Sequence, residues 1–137
     1  MAITRKPQPH SEQQIQKSFV KWFRLQHSRL SMLLYAVPNG AFLNGTAKQR
    51  AIQWKKLKSE GAVSGVADLF LSIPNSQYHG LYIESKTPKG RQSKEQKMFQ
   101  KQVEAQGYKY YICRELTDFI KLINDYLNDN GINPIKQ

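Results

Sequence analysis

Residues 67 to 86, ADLFLSIPNSQYHGLYIESK, constrain the fold more than any other stretch of the chain. Two apolar runs flank the turn-rich link PNSQYH, a pattern that predicts a β-hairpin. The expected strands are VADLFLSI, from Val66 to Ile73, and GLYIESK, from Gly80 to Lys86. The first carries Asp68 and the second carries Glu84 and Lys86. A buried charge is costly unless it is paired or bound to a metal. Side chains alternate along a strand, so Val66, Asp68 and Phe70 share one face, and Tyr82, Glu84 and Lys86 share another. A turn centred on Ser76 sets Asp68 opposite Glu84, where Cβ atoms lie ~4.5–5.5 Å apart. Two carboxylates so placed repel each other, and a divalent cation turns that repulsion into binding. A slip of one residue would send them to opposite faces.

Oxygen donors of this kind suit Mg²⁺, with Mn²⁺ able to substitute. Such an ion acidifies water and neutralises phosphate oxygens. Lys86 could orient that water or stabilise developing negative charge. Asp68, Glu84 and Lys86 then form a phosphodiester hydrolysis site. A plainer reading also fits: Glu84 and Lys86 form an ordinary ion pair on a solvated face, and Asp68 merely opens a strand. Glu-x-Lys alone is a weak signal, and it gains weight only with the paired aspartate in a basic chain.

That basicity is strong. The 137 residues carry a net charge of +11, which suggests a polyanionic partner, most simply nucleic acid. The one cysteine, Cys113, allows no internal disulfide and sits in the apolar run YYIC, so it reads as a core residue in a reducing compartment. His10, His27 and His79 have no metal-ligand spacing, which argues against a zinc or HNH-type site. No apolar h-region follows the basic start, and no segment is long enough to span a membrane. The expectation is an intracellular, cytoplasmic protein that needs no small-molecule cofactor.

Along the chain, residues 1–10 read as a flexible basic arm, 11–127 as one domain and 128–137 as a polar tail. Ser11 and Gln14 form a capping box ahead of a helix that places Ile15, Phe19, Trp22 and Phe23 on one face. SMLLYAV is an expected strand, ended by the turn PNG. A second helix runs from the N-cap Thr46 to Gly61. After the hairpin, Ser93 and Gln96 form another capping box for a third helix, which stops at Gly107. YKYYIC is a fourth strand and ELTDFIKLINDYL a last helix. The order is α-β-α-β-β-α-β-α, which predicts an α/β fold with a mixed sheet flanked by helices.

These motifs together resemble the PD-(D/E)xK nuclease superfamily, and within it the VRR-NUC group of virus-type replication and repair nucleases. KLKSEGAVSGVADLFL resembles the group's lead-in to G-x-P-D, YIESK its E-x-K strand, and SKEQKMFQKQVEAQGYKYYIC its S-x-x-Q helix, glycine and strand. AVPNG resembles its P-N-G turn. The likeness runs from about Ser11 to Tyr126 and implies a restriction-endonuclease-like core. It also implies that Asp68, Glu84 and the backbone carbonyl of Ser85 hold metal, that Lys86 is the catalytic lysine, and that Gln96 lines the site. Glu12 matches a glutamate that several members contribute to the metal; an acid in a first helical turn also suits the helix dipole, and both roles stay open. Two positions depart from the pattern: Ala67 stands where proline is usual, and Thr87 where glycine is often found.

Two basic clusters remain, KQRAIQWKKLK and KTPKGRQSKEQK. In the second, Lys89, Arg91 and Lys94 lead directly out of the site and could grip phosphates, with Asn39 of the P-N-G turn as a further nucleic-acid contact. No recognition helix with base-reading side chains stands out, so DNA structure rather than sequence is the expected determinant. The resemblance implies branched DNA, such as four-way (Holliday) junctions or flaps in replication, recombination or repair, and a small viral or bacterial enzyme. Two symmetric cuts on a junction suit a homodimer. The competing expectations are a non-catalytic nucleic-acid-binding protein that keeps the fold, and a sequence-specific restriction-type endonuclease.

Overall fold

A computed structural model of the chain describes residues 11–37 and 43–129. The described elements run α1 (Glu12–Gln26), a 3-10 helix (Ser28–Leu33), β1 (Leu34–Ala36), α2 (Ala47–Ser59), β2 (Leu69–Leu71), β3 (Leu81–Ser85), α3 (Lys94–Ala105), β4 (Lys109–Cys113) and α4 (Leu116–Leu127). The arm of residues 1–10, Asn39 with its turn, and residues 130–137 lie outside the described residues.

Local chemistry sets where helices begin. Ser11, Thr46 and Ser93 each accept a backbone N–H three residues on, and Gln14, Gln49 and Gln96 return a side-chain bond to the cap. Each reciprocal pair satisfies two donors that the first turn would otherwise leave open.

The strands lie in the order β1-β2-β3-β4. β1 and β2, and β2 and β3, run antiparallel; β3 and β4 run parallel, with α3 as the crossover that parallel pairing requires. The sheet is mixed, as the element order predicts. Helices cover both faces. On one, Leu69, Leu71, Leu81 and Ile83 pack with Phe19 and Phe23 of α1 and with Phe119 and Ile123 of α4. The rings of Phe19 and Phe119 stack at 4.5 Å. On the other, Phe70 lies 4.5 Å from Tyr82, and Tyr82 meets Phe99 of α3 edge-on at 5.1 Å. Full burial of each such side chain contributes ~1.5–3 kcal/mol. β3, covered on both faces, is the rigid rail on which the charged residues sit.

Two strands are shorter than the sequence suggests. Residues 28–33 form the 3-10 helix and leave β1 only three residues, with Met32 90% exposed. The run SMLLYAV lacks alternation, and an apolar run without it does not separate strand from helix. β2 spans only Leu69 to Leu71; at its start the Asp68 side chain accepts the Ser85 N–H, and just past its end the Ser72 N–H bonds the Leu33 carbonyl. Cys113 is fully buried, and burial pushes its thiol up to about 12, as befits a core residue. Among the described residues, no helix is long and apolar enough to cross a membrane.

Candidate active site

The β2–β3 ladder pairs Leu69 with Ile83, Phe70 with Tyr82 and Leu71 with Leu81. One more step along this register sets Asp68 against Glu84. The expected hairpin therefore forms in the expected register. Asp68 leaves the ladder at its mouth: its Oδ2 accepts the Ser85 N–H at 2.9 Å, while its backbone carbonyl accepts the Val37 N–H. Glu84 is 1% exposed. Its Oε1 accepts Nε2 of Gln96 at 2.9 Å and lies 3.9 Å from Nζ of Lys86. Its Oε2 is buried with no hydrogen-bond partner. Lys86, also buried, lies 3.7 Å from Oε1 of Glu12 at the start of α1.

The site thus forms at the end of β3, where the first turns of α1 and α3 converge from opposite faces of the sheet. Asp68, Glu84, Ser85, Lys86, Gln96 and Glu12 all come together there. Lys89 and Arg91 are exposed on the loop directly after Lys86, and Lys94 is exposed on the first residue of α3.

Electrostatics make the centre unusual. Burial first, and the neighbouring Asp68 carboxylate second, push the Glu84 carboxyl up to about 8, against the opposing pull of Lys86. A carboxylate desolvated beside another carboxylate favours its protonated form. A cation in the same place supplies the missing charge. The donor set fits a hard divalent ion: two carboxylates, one buried oxygen without a partner, and a backbone edge. Within an extended strand a residue's N–H and C=O project to the same edge. The Ser85 N–H meets Asp68, whereas the next N–H, of Lys86, turns to Cys113 of β4. The Ser85 carbonyl accordingly faces the Asp68 side. Among the described residues, no three His, Cys, Asp or Glu side chains gather into a metal cage, and Glu12 rests on Lys86. Few protein carboxylates with several waters is the usual habit of Mg²⁺.

Two supporting residues escape the sequence reading. Gly65 has φ +88°, and a Cβ there would lie 2.5 Å from the carbonyl group of Glu95 and 2.8 Å from the Gln96 nitrogen. The loop that delivers Asp68 is therefore pressed against the helix turn that delivers Gln96. The glycine of the G-x-P-D-like stretch is visible in the sequence, but its contact is not. Arg114 follows β4 and donates Nη1 to the carbonyls of Thr87 and Gly90, both at 2.7 Å. That clamp fixes the loop of Lys89 and Arg91. Its only sequence signal is an arginine at the exit of the strand parallel to β3.

The comparisons with known proteins agree with this fold. The family model of the VRR-NUC domain matches residues 10–115. A solved VRR_NUC domain protein is similar in fold, with a TM-score of 0.71 at 22% identity over 88% of this chain and 90% of that chain. A search of the curated proteins finds no match. With the matched segment spanning α1 to the end of β4, the chain belongs to the VRR-NUC family, nucleases built on the PD-(D/E)xK core.

Proposed function

We propose that this chain is a Mg²⁺-dependent endonuclease that hydrolyses phosphodiester bonds in DNA and selects branched forms such as four-way junctions or flaps. The observation that carries the reading is the buried, unpartnered Oε2 of Glu84 beside Asp68, an arrangement that is costly for a binding module and useful to a metal enzyme. Asp68, Glu84 and the Ser85 carbonyl would hold the ion, with Mn²⁺ able to replace Mg²⁺. A divalent cation there supplies a more acidic water and neutralises charge on the phosphate.

The protein's own groups do the rest. Gln96 donates to Glu84 Oε1 and so fixes the orientation of the carboxyl, leaving the buried Oε2 without a donor. The Ser85 N–H holds Asp68 in place. Lys86, steadied between Glu84 and Glu12, carries its ammonium where it can orient the attacking water or meet the charge that develops on the phosphate. Lys89, Arg91 and Lys94 supply phosphate contacts that carry no base information, consistent with selection by DNA shape. Two equivalent cuts on a junction suit a homodimer of this small domain. An enzyme acting on DNA in replication, recombination or repair would work in the cytoplasm.

The test is cleavage of labelled four-way junction, flap and linear duplex DNA with Mg²⁺, Mn²⁺ or EDTA, beside Glu84→Ala. Metal-dependent cutting at the branch, lost in the variant, is the expected outcome. Discrete cuts at a fixed sequence in linear duplex would replace structure selection with a restriction-type activity. Binding without cutting, equal in both proteins, would remove the catalytic reading.

A further inference from the structure

Helix α2 stands apart from the rest of the fold. None of its residues is buried. From Ala47 to Ser59 it carries Lys48, Arg50, Lys55, Lys56 and Lys58 and no acidic residue. A polar helix is ordinarily held by packing or by opposite charges four residues apart. Here no opposite charge exists within the helix to form such a pair. The first turns of α1, α3 and α4 hold Glu12, Glu95 and Asp118, which suit the positive end of the dipole. The first turn of α2 holds no acid and instead presents Lys48, which the dipole disfavours.

Trp54 and Leu57, three residues apart, are half-buried; every other residue of the helix is exposed, Arg50 on the same side as that pair included. The far side exposes Lys48, Ile52, Lys55 and Lys56, which fall within about a third of a turn at ~100° per residue. Ile52 is 62% exposed in their midst. Lys48 and Lys56 are separated by ~12 Å along the axis. The helix is also tied to the centre: eight residues separate Ser59 from Asp68, and among them Gly65 is pressed against the start of α3.

We propose that the face of α2 formed by Lys48, Ile52, Lys55 and Lys56 docks on the phosphate backbone of duplex DNA, gripping a helical arm beside the strand being cut. Charge complementarity carries the assignment: an unbalanced, single-sign face is unfavourable in the free helix and is relieved by a row of phosphates. The inference rests on the nuclease reading and adds a substrate-holding element to it. The contact is with backbone, so it is independent of sequence and strongly dependent on salt.

The test compares two charge-matched double variants of the full chain, Lys48→Gln/Lys55→Gln and Lys109→Gln/Lys121→Gln. The second pair lines a cleft with Tyr78 and Asp129, formed around the opposite end of the sheet from Glu84. Binding of labelled junction and linear duplex is measured in EDTA from 50 to 300 mM salt, with melting curves to verify folding and kcat measured in Mg²⁺ at saturating junction. Each lost phosphate contact lowers the slope of log K against log salt by ~0.9. The α2 pair is expected to lower the slope by roughly 2 and weaken binding about tenfold or more near 0.1 M salt, with kcat unchanged. The other pair is expected to do much less. Equal losses in both pairs would make the effect one of net charge and overturn the assignment. No loss in the α2 pair, with wild type still cutting, would overturn it while the nuclease reading stands. A wild type that neither binds nor cuts DNA would overturn both.

Discussion

Gln96 serves two partners through one amide, and a single substitution separates them. Its Oε1 accepts the Ser93 N–H at 2.9 Å and closes the capping box of α3, while its Nε2 donates to Glu84 Oε1 at 2.9 Å. Glutamate at the same position also completes a capping box, so Gln96→Glu leaves the helix start intact. It removes the donor and places a further carboxyl within hydrogen-bond reach of a group that is 1% exposed. A hydrogen bond to a charged group contributes ~1.5–3 kcal/mol. At ~1.4 kcal/mol per decade, kcat/KM should fall roughly 10- to 100-fold. Gln96→Ala keeps the Ser93 cap but loses the return bond to the Ser93 N–H as well, and should cost ~0.5–1.5 kcal/mol of stability on top. The assay is cleavage of a branched substrate in saturating Mg²⁺, with circular dichroism to verify α3. Wild-type kcat/KM in Gln96→Glu would refute the idea that this amide sets the orientation of Glu84.

Three further outcomes follow from the same geometry. Glu84 has an ordinary value of 4.5 and a folded value of about 8, so the folded state holds its proton more tightly; the stability it contributes is complete below pH 4.5 and is lost as pH rises to about 8. Melting in EDTA should therefore show wild type losing on the order of a few kcal/mol across that window relative to Glu84→Gln, and an equal pH dependence in the two proteins would contradict it. Gly65→Ala would force a Cβ to within 2.5 Å of backbone at a φ of +88°; activity should drop more than tenfold and the protein should lose ~1–3 kcal/mol in denaturant titration. Arg114→Ala removes the one nitrogen, Nη1, that holds the carbonyls of Thr87 and Gly90; KM for DNA should rise several-fold with kcat nearly unchanged, as read from steady-state cleavage.

Much of the site was legible because it is local. The hairpin register follows from the length of PNSQYH and the alternation of its flanks, and it is enough to set Asp68 against Glu84. The capping box places Gln96 in the first turn of a helix, and its place beside the site follows only from the resemblance to the S-x-x-Q helix. What sequence does not carry is contact between distant segments. The Arg114 clamp depends on β4 lying parallel beside β3. The pressure of Gly65 on α3 depends on where the crossover helix lands. Lys86 reaching Glu12 depends on α1 ending its packing at the same edge of the sheet. The 3-10 helix of residues 28–33 was hidden in an apolar run with no period, and β2 loses residues at both ends of VADLFLSI, with the Asp68 side chain taking the Ser85 N–H at its start.

The central claim is that Glu84 and Asp68 form a cation site. Calorimetric titration of Mg²⁺, and of Mn²⁺, into the full chain without DNA tests it most directly, with Glu84→Ala and Asp68→Ala beside wild type. At pH 7 the cation must displace the proton that burial holds on Glu84, so wild-type binding should release protons and its heat should vary with the ionisation heat of the buffer. Saturable binding with proton release in wild type, lost in both variants, is the predicted result. Equal binding in all three proteins would place the ion elsewhere and contradict the account.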